Sequence, residues 1–496
     1  MNTETHKSII PETVNPSPDY YCTWQTQLYA VSGGSPAEQR NIMSEHSLFN
    51  RSFPYGWAYF YEKTRKDLFF VMDDSWDVPV KDYEKYYGTL LPDHGKFPLA
   101  TTGRDGSEAL RYLTDKVKAL GWKGLGGWVC AQEPLAAEKY ESPEEYWVSR
   151  LKTANEAGFS YWKVDWGEKG RDIEFRKALP KLGRIYAPKL VIENAVLPEV
   201  IPFSDAFRTY DVPALMSIPM TIEKIELCAR GVKPNADFSA LLNCEDEAYI
   251  AAAGGFTMGI MRHPFAGDFP DGYPDRSFPA VHRGIKTKLT EITRAARWHR
   301  IAPAFALDSG DFIFDNVKLS DTWRFDSKWD EIEHWWLNIL SVKDFLKDDV
   351  LTKTAAARIA RRCSLPEVVS DGEGNVPFTV CSRNPSGAYS IATAGRTVGR
   401  RYYIPECRIT ADTGDSIFFG IFGNYSMLTL LSSKIKRGAR VLAQDLAADT
   451  AVEITKLVET DYGRLTIPGS LIAEIGTLAQ PADDTSEPGL AVMIAD

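Results

Sequence analysis

The stretch Tyr161-Trp162-Lys163-Val164-Asp165-Trp166 decides how this chain is read. Aromatic and β-branched residues favour an extended strand. Lys163 and Asp165 are two positions apart, so on a strand they project to the same face. Helical patterns flank the stretch, Glu144 to Ala157 before it and Asp172 to Leu179 after it. That alternation is the rhythm of a β/α fold. In such folds a carboxylate at the C-terminal end of a strand stands where active sites form. A lone Lys–Asp pair is more often structural, so its meaning rests on what the other strand ends carry.

Seven further segments have strand character. Upstream are Tyr20 to Gln27, Leu68 to Met72 running into Asp73-Asp74, and Leu125 to Cys130. Downstream are Leu190 to Glu193, Phe203 to Phe207, Phe238 to Cys244 and Phe256 to Met261. Helical patterns separate most of them, including Ser107 to Leu120, Thr221 to Ala229, Ala248 to Ala253 and Val281 to Arg300. Eight strands alternating with helices predict an α/β fold, a (β/α)8 TIM barrel over residues 18–302. A doubly wound open sheet is the rival, but no Gly-x-Gly-x-x-Gly follows the first strand. Residues 303–376 are expected to form an aromatic-rich extension with connecting helices. Trp323, Trp329, Trp335 and Trp336 lie there, and Thr352 to Arg362 has a helical look. Beyond the turn-rich Asp371 to Pro377, short β runs predict a small antiparallel β-sandwich over residues 377–496. Leu471 to Ile475 is its last and weakest strand candidate.

Composition narrows the function. A net charge of -10 argues against a nucleic-acid partner, which wants a basic surface. No apolar run is long enough to span a bilayer, so no membrane partner is expected. Met1 to Ser17 is polar and lacks the apolar core of a signal peptide. Seven scattered cysteines without a Cys-x-x-Cys fit free thiols in a reducing compartment. A cytoplasmic protein is the expectation. The sequence leaves a homo-oligomer open. With seven histidines and no His-Glu-x-x-His, no metal and no cofactor is expected.

The strand ends are charged: Asp73 and Asp74, Lys163 and Asp165, Glu193, Arg208 and Asp211, Glu245 and Asp246. A closed barrel gathers them at one mouth. Carboxylates beside tryptophans suit glycoside hydrolysis, in which one carboxylate attacks and a second protonates the leaving oxygen. A neighbouring lysine keeps the attacker ionised. Two other readings stay open, a carbohydrate-binding protein on an inactive barrel and a metal-dependent barrel lyase or isomerase using Asp165, Glu193 and Glu245.

Asp73-Asp74-Ser75-Trp76, Lys163-Val164-Asp165 and the Arg208 to Asp211 region resemble the α-galactosidase superfamily, clan D of the glycoside hydrolases (families 27 and 36). The resemblance covers about residues 20 to 300. It implies a retaining, exo-acting enzyme on α-galactosides or related sugars, such as α-N-acetylgalactosaminides and β-L-arabinopyranosides, with a glycoside or oligosaccharide as partner. It implies Asp165 as nucleophile, Asp211 as acid/base, and Lys163, Asp73 and Asp74 as ligands of sugar hydroxyls. Arg208 would hold the ring 2-position or its neighbour, and Glu193 stands where some relatives read the 2-substituent. Trp76, Trp128 and Trp24 would wall the pocket. Three departures stand out. Ser75 replaces the family's glycine. Arg208 and Asp211 are three positions apart, where four is usual, which makes Asp205 a rival acid/base. Glu193-Asn194 departs from the usual pattern of either enzyme type.

Overall fold

The computed structural model describes residues 5–31, 36–79, 87–135, 139–210, 216–262, 264–265, 288–325, 346–372 and 374–495. Eight short strands run in parallel in chain order: β1 (Tyr20–Cys22), β2 (Phe69–Met72), β3 (Gly124–Val129), β4 (Tyr161–Val164), β5 (Val191–Asn194), β6 (Ala206–Arg208), β7 (Leu241–Asn243) and β8 (Gly259–Ile260). β8 pairs back onto β1, with Tyr20 opposite Gly259. The last seam, between β7 and β8, is closed by a bridge of Asn243 to Thr257, where Cys244 N donates to Thr257 O at 2.9 Å. A sheet that returns to its first strand in sequence order is a closed barrel. The doubly wound alternative, whose order reverses at a switch point, is thereby excluded.

Glycines in β3 let its neighbours pack across it. A Cβ on Gly126 would lie 2.5 Å from Tyr161 Cβ, and one on Gly127 would lie 2.9 Å from the Trp76 ring. Inside the barrel Tyr20 and Tyr161 meet with ring centroids 4.9 Å apart, beside Phe69 and Val71. The outer helices start where the sequence places caps. Asp105 and Glu108 form a capping box for the helix Gly106–Ala119, and Ser142 with Pro143 opens the helix Pro143–Glu156. Among the described residues no helix is long and apolar enough to cross a membrane.

The second unit is a β-sandwich of a nine-stranded and a five-stranded sheet. Its pairings are antiparallel except at three places, where Arg358–Arg361 runs with Phe378–Arg383, Tyr389–Ala394 with Phe418–Phe422, and Cys407–Asp412 with Met427–Leu431. The nine-stranded sheet takes in residues from outside 377–496. The strand Thr5–Lys7 pairs with Thr450–Glu453 at one edge, and Phe312–Phe314 pairs with Arg358–Arg361 at the other. Thr352 to Arg362 is therefore not a helix. Val350–Ala356 pairs antiparallel with Lys318–Arg324, and Arg358–Arg361 enters the sheet. The helix-forming alanines 355 to 357 mislead there, because strand pairing overrides local propensity. Leu471 to Ile475, read as a strand, lies in the helix Gly469–Gly476. Trp329, Trp335 and Trp336 lie outside the described residues.

Barrel and sandwich are joined by buried polar staples. Arg294, on the helix Leu289–Trp298, makes a two-pronged pair with Asp445 at 2.9 and 3.1 Å. Arg361 donates to the carbonyls of Gly255 and Phe305, each at 3.0 Å. Ser382 and Ser390 of the sheet both donate to Ala253 O, which ends the helix Ala248–Gly254.

Candidate active site

The C-terminal ends of β1, β2, β4, β5, β6 and β7 supply one connected polar group. Asp73 follows β2 and is 2% exposed. Its Oδ2 accepts from Lys163 Nζ at 2.7 Å and from the Cys22 thiol at 2.8 Å. Lys163 Nζ is also 3.7 Å from Asp165 Oδ2. Burial works against the Lys163 charge, but Asp73, followed by Cys22 and Asp165, outweighs it and holds the ammonium protonated.

Asp165 stands just past β4, with its carboxylate mostly covered. Trp128 Nε1 donates to Oδ2 at 3.0 Å. Oδ1 accepts no hydrogen bond among the described residues and has Arg208 Nη2 at 3.4 Å. Burial would raise the pKa of this carboxyl. Arg208 and Lys163, helped by the Trp128 hydrogen bond, prevail and hold it below the ordinary value. Asp165 is thus an ionised carboxylate with Oδ2 fixed by Trp128 and Oδ1 facing only the Arg208 guanidinium among the described residues.

Glu193 lies beneath this pair. It accepts from Tyr20 Oη at 3.1 Å, Tyr161 Oη at 2.8 Å and Asn243 Nδ2 at 2.7 Å, and Arg208 Nη1 is 3.9 Å away. At 1% exposure it supports Arg208 from the barrel interior rather than lining an open pocket. Tyr20, Tyr161, Asn243 and Cys22 were missing from the sequence-based site. For Tyr161 the signal was there, since it shares the two-residue spacing of Lys163 and Asp165.

Asp74 turns away from Asp73, as alternation on a strand predicts. Its carboxylate takes Arg40 Nε at 2.9 Å and the Ser75 hydroxyl at 2.7 Å. Burial raises the Asp74 pKa against the pull of Arg40. Trp128 touches the nucleophile candidate, whereas Trp76 is completely buried, its Nε1 donating to Trp128 O at 2.9 Å. Trp76 is thus a packing residue against Gly127 and not a pocket wall. Trp24 is half-buried at the start of the helix Trp24–Ala30, just beyond β1. Among the described residues, the exposed aromatic at the mouth is Trp166, 38% exposed and 5.4 Å from Trp128 between ring centroids.

The two acid/base candidates part company. Asp205 precedes β6 and sits at the N-terminal end of the barrel, where Arg184 Nη2 lies 3.0 Å away and Ile192 N donates to it at 3.0 Å. A carboxylate there is at the wrong end of the strand to reach Asp165. Asp211 lies outside the described residues. Glu245 and Asp246 follow β7, and Asp246 accepts from the backbone of Met261 and Arg262.

Ser75 has φ +75°, the left-handed region in which glycine is unstrained. Ser75 is therefore not conformationally free, and its hydroxyl donates to Asp74 from that strained position. Ser75→Gly should stay within about 1 kcal/mol of the parent, trading strain relief against that bond. Ser75→Ala keeps the strain and loses the bond, and should cost roughly 1–3 kcal/mol. Urea unfolding of the two variants checks the order.

No family model and no curated protein matches this chain. Among similar solved structures is a family 27 β-L-arabinopyranosidase from Geobacillus stearothermophilus. It is 11% identical, covers 97% of this chain and 96% of its own, and has a TM-score of 0.42. An α-amylase from Anoxybacillus is 9% identical over 98% of this chain and 99% of its own, at 0.43. An α-amylase from Geobacillus thermoleovorans, solved with acarbose, is 7% identical over 98% and 100%, at 0.41.

Proposed function

We propose that the protein is a retaining, exo-acting glycoside hydrolase of the α-galactosidase type, with Asp165 as its nucleophile. The observation that carries this reading is the state of Asp165, an ionised carboxylate at a barrel mouth with Oδ2 fixed by Trp128 and Oδ1 accepting no hydrogen bond among the described residues. In this mechanism Oδ1 attacks the anomeric carbon and the glycosidic bond breaks. Asp211, three residues beyond Arg208, gives its proton to the leaving oxygen. Water, deprotonated by the same Asp211, then releases the sugar from Asp165. Retention requires the two carboxyl groups about 5–5.5 Å apart. Asp205 is not proposed for the role, because it occupies the other end of the barrel. Lys163 and Asp73, joined at 2.7 Å, are the proposed ligands of sugar hydroxyls. Glu193 is proposed as a support for Arg208.

The test is a panel of 4-nitrophenyl glycosides, α-D-galactoside, α-N-acetylgalactosaminide and β-L-arabinopyranoside, assayed with and without a chelator. Release of nitrophenol from one of them, unchanged by the chelator, is expected. Activity that vanishes with the chelator would replace this reading by a metal-dependent one. Binding of a sugar with no release from any of the three would favour the inactive barrel.

A further inference from the structure

We infer that Cys363 and Cys381 form an oxidation site in the sandwich, where a peroxide converts two thiols into a reversible disulfide. The two sulfurs are 3.7 Å apart. Cys381 lies within the strand Phe378–Arg383, paired with Ala360 of the neighbouring strand Arg358–Arg361. Just past that neighbour, Arg362 adopts φ +59° and turns the chain. Cys363 follows the turn and meets Cys381. A disulfide needs about 2.05 Å between sulfurs, so closure asks for a movement of under about 2 Å by a side chain at a turn.

The two thiols are unequal in the way such chemistry requires. Cys363 is partly exposed and Cys381 is fully buried, as are the other five cysteines. The hydrogen bond between the two sulfurs, with backbone hydrogen bonds at Arg361 and Arg383, holds the Cys363 thiol below its usual pKa despite burial. The same bond and burial push Cys381 up. Cys363, the sulfur that solvent reaches, is the one that meets a peroxide, and the buried Cys381 is the thiol that resolves it.

The Cys363 thiolate attacks one peroxide oxygen. The O–O bond breaks, and the departing hydroxide takes a proton from solvent and leaves as water. Cys363 is then a sulfenic acid. The Cys381 sulfur attacks the Cys363 sulfur, and the S–O bond breaks. The hydroxyl leaves with the Cys381 proton as a second water. The two sulfurs together lose two electrons and the peroxide gains them. The bond would tie the turn after Arg361 to the sheet interior, two residues from the guanidinium that staples sandwich to barrel.

The test is treatment of the full chain with hydrogen peroxide, followed by intact mass, thiol titration under denaturing conditions and peptide mapping. Expected are the loss of two of the seven thiols, a mass lower by about 2 Da for the two hydrogens removed, and a Cys363–Cys381 cross-linked peptide. Dithiothreitol should reverse all three. Cys363→Ser, at the partly exposed position, should abolish the cross-link while leaving the thermal transition of the untreated protein in place. Seven surviving thiols would overturn the proposal. So would a cross-link to another cysteine, or a gain of about 32 Da on Cys363 without a cross-link, which is the sulfinic acid. None of these readouts depends on glycosidase activity.

Discussion

Asp165→Asn is expected to lower kcat by about ten-thousandfold or more while sugar binding survives. That loss corresponds to roughly 5.5 kcal/mol of transition-state stabilisation. The variant is close to isosteric, and its amide oxygen can still accept from Trp128 Nε1, which now binds Oδ2 at 3.0 Å. What disappears is the charge on Oδ1 and with it the attack that the proposed mechanism requires. The amide leaves Lys163 at 3.7 Å and Arg208 at 3.4 Å with one counter-charge fewer, so some loss of stability accompanies the loss of rate. Single-turnover kinetics on the best aryl glycoside, with calorimetric binding of the free sugar, separate the two effects. Turnover within tenfold of the parent would remove Asp165 from the nucleophile's place.

A second large effect concerns pH and stability, and it centres on Asp77. This side chain is 2% exposed. Its Oδ2 accepts from Leu90 N at 2.9 Å, while Oδ1 has no hydrogen-bond partner among the described residues. Burial, only partly opposed by that backbone N–H, pushes its pKa up to about 7. An unfolded aspartate titrates near about 4. Between these values the folded chain holds a proton that the unfolded chain has lost. The stabilising contribution is therefore complete below about pH 4 and drains away as pH rises through about 7. The full difference is of the order of 4 kcal/mol. Asp77→Asn is neutral at every pH and keeps an oxygen for Leu90 N, so it should cancel this slope. Urea unfolding at a series of pH values from about 4.5 to 7.5 measures it, as the difference between parent and variant. Parallel curves for the two proteins would show that Asp77 titrates normally.

The barrel was legible because its strands are hydrophobic runs ending in charge, and that pattern survives small errors in their bounds. The same errors cost more at the site. Reading a strand over Phe203 to Phe207 puts Asp205 within it, whereas β6 begins at Ala206 and leaves Asp205 at the opposite end from Arg208. One or two residues decide which face of a barrel a carboxylate serves. Trp76 and Trp128 look alike in sequence, yet only Trp128 reaches Asp165, because Gly127 offers Trp76 a bed in the packing. Glu193 could be read as charged but not as deep, since its tyrosine partners come from β1 and β4 and only closure of the sheet unites them. Arg40 gave no signal at all. It reaches Asp74 from the short helix Pro36–Asn41, by a contact that no local pattern encodes. In the sandwich, alanines and threonines carry too little pattern to separate strand from helix without their partners.

The edge strand Thr5–Lys7 has a consequence for how the molecule is made. Its partner, Thr450–Glu453, is synthesised roughly 440 residues later. At ribosomal speeds of about 5–20 residues per second, the first strand waits roughly 20–90 seconds for the surface it joins. During that interval the barrel can close, since every strand from β1 to β8 has already emerged. Thr5–Lys7 must stay unpaired and accessible throughout. Its charged, polar composition keeps such a segment from pairing with other nascent chains. An edge of the sandwich thus waits for chain made long after its first strand, and Gly489–Ala495, which joins that edge to the rest of the sheet, comes later still.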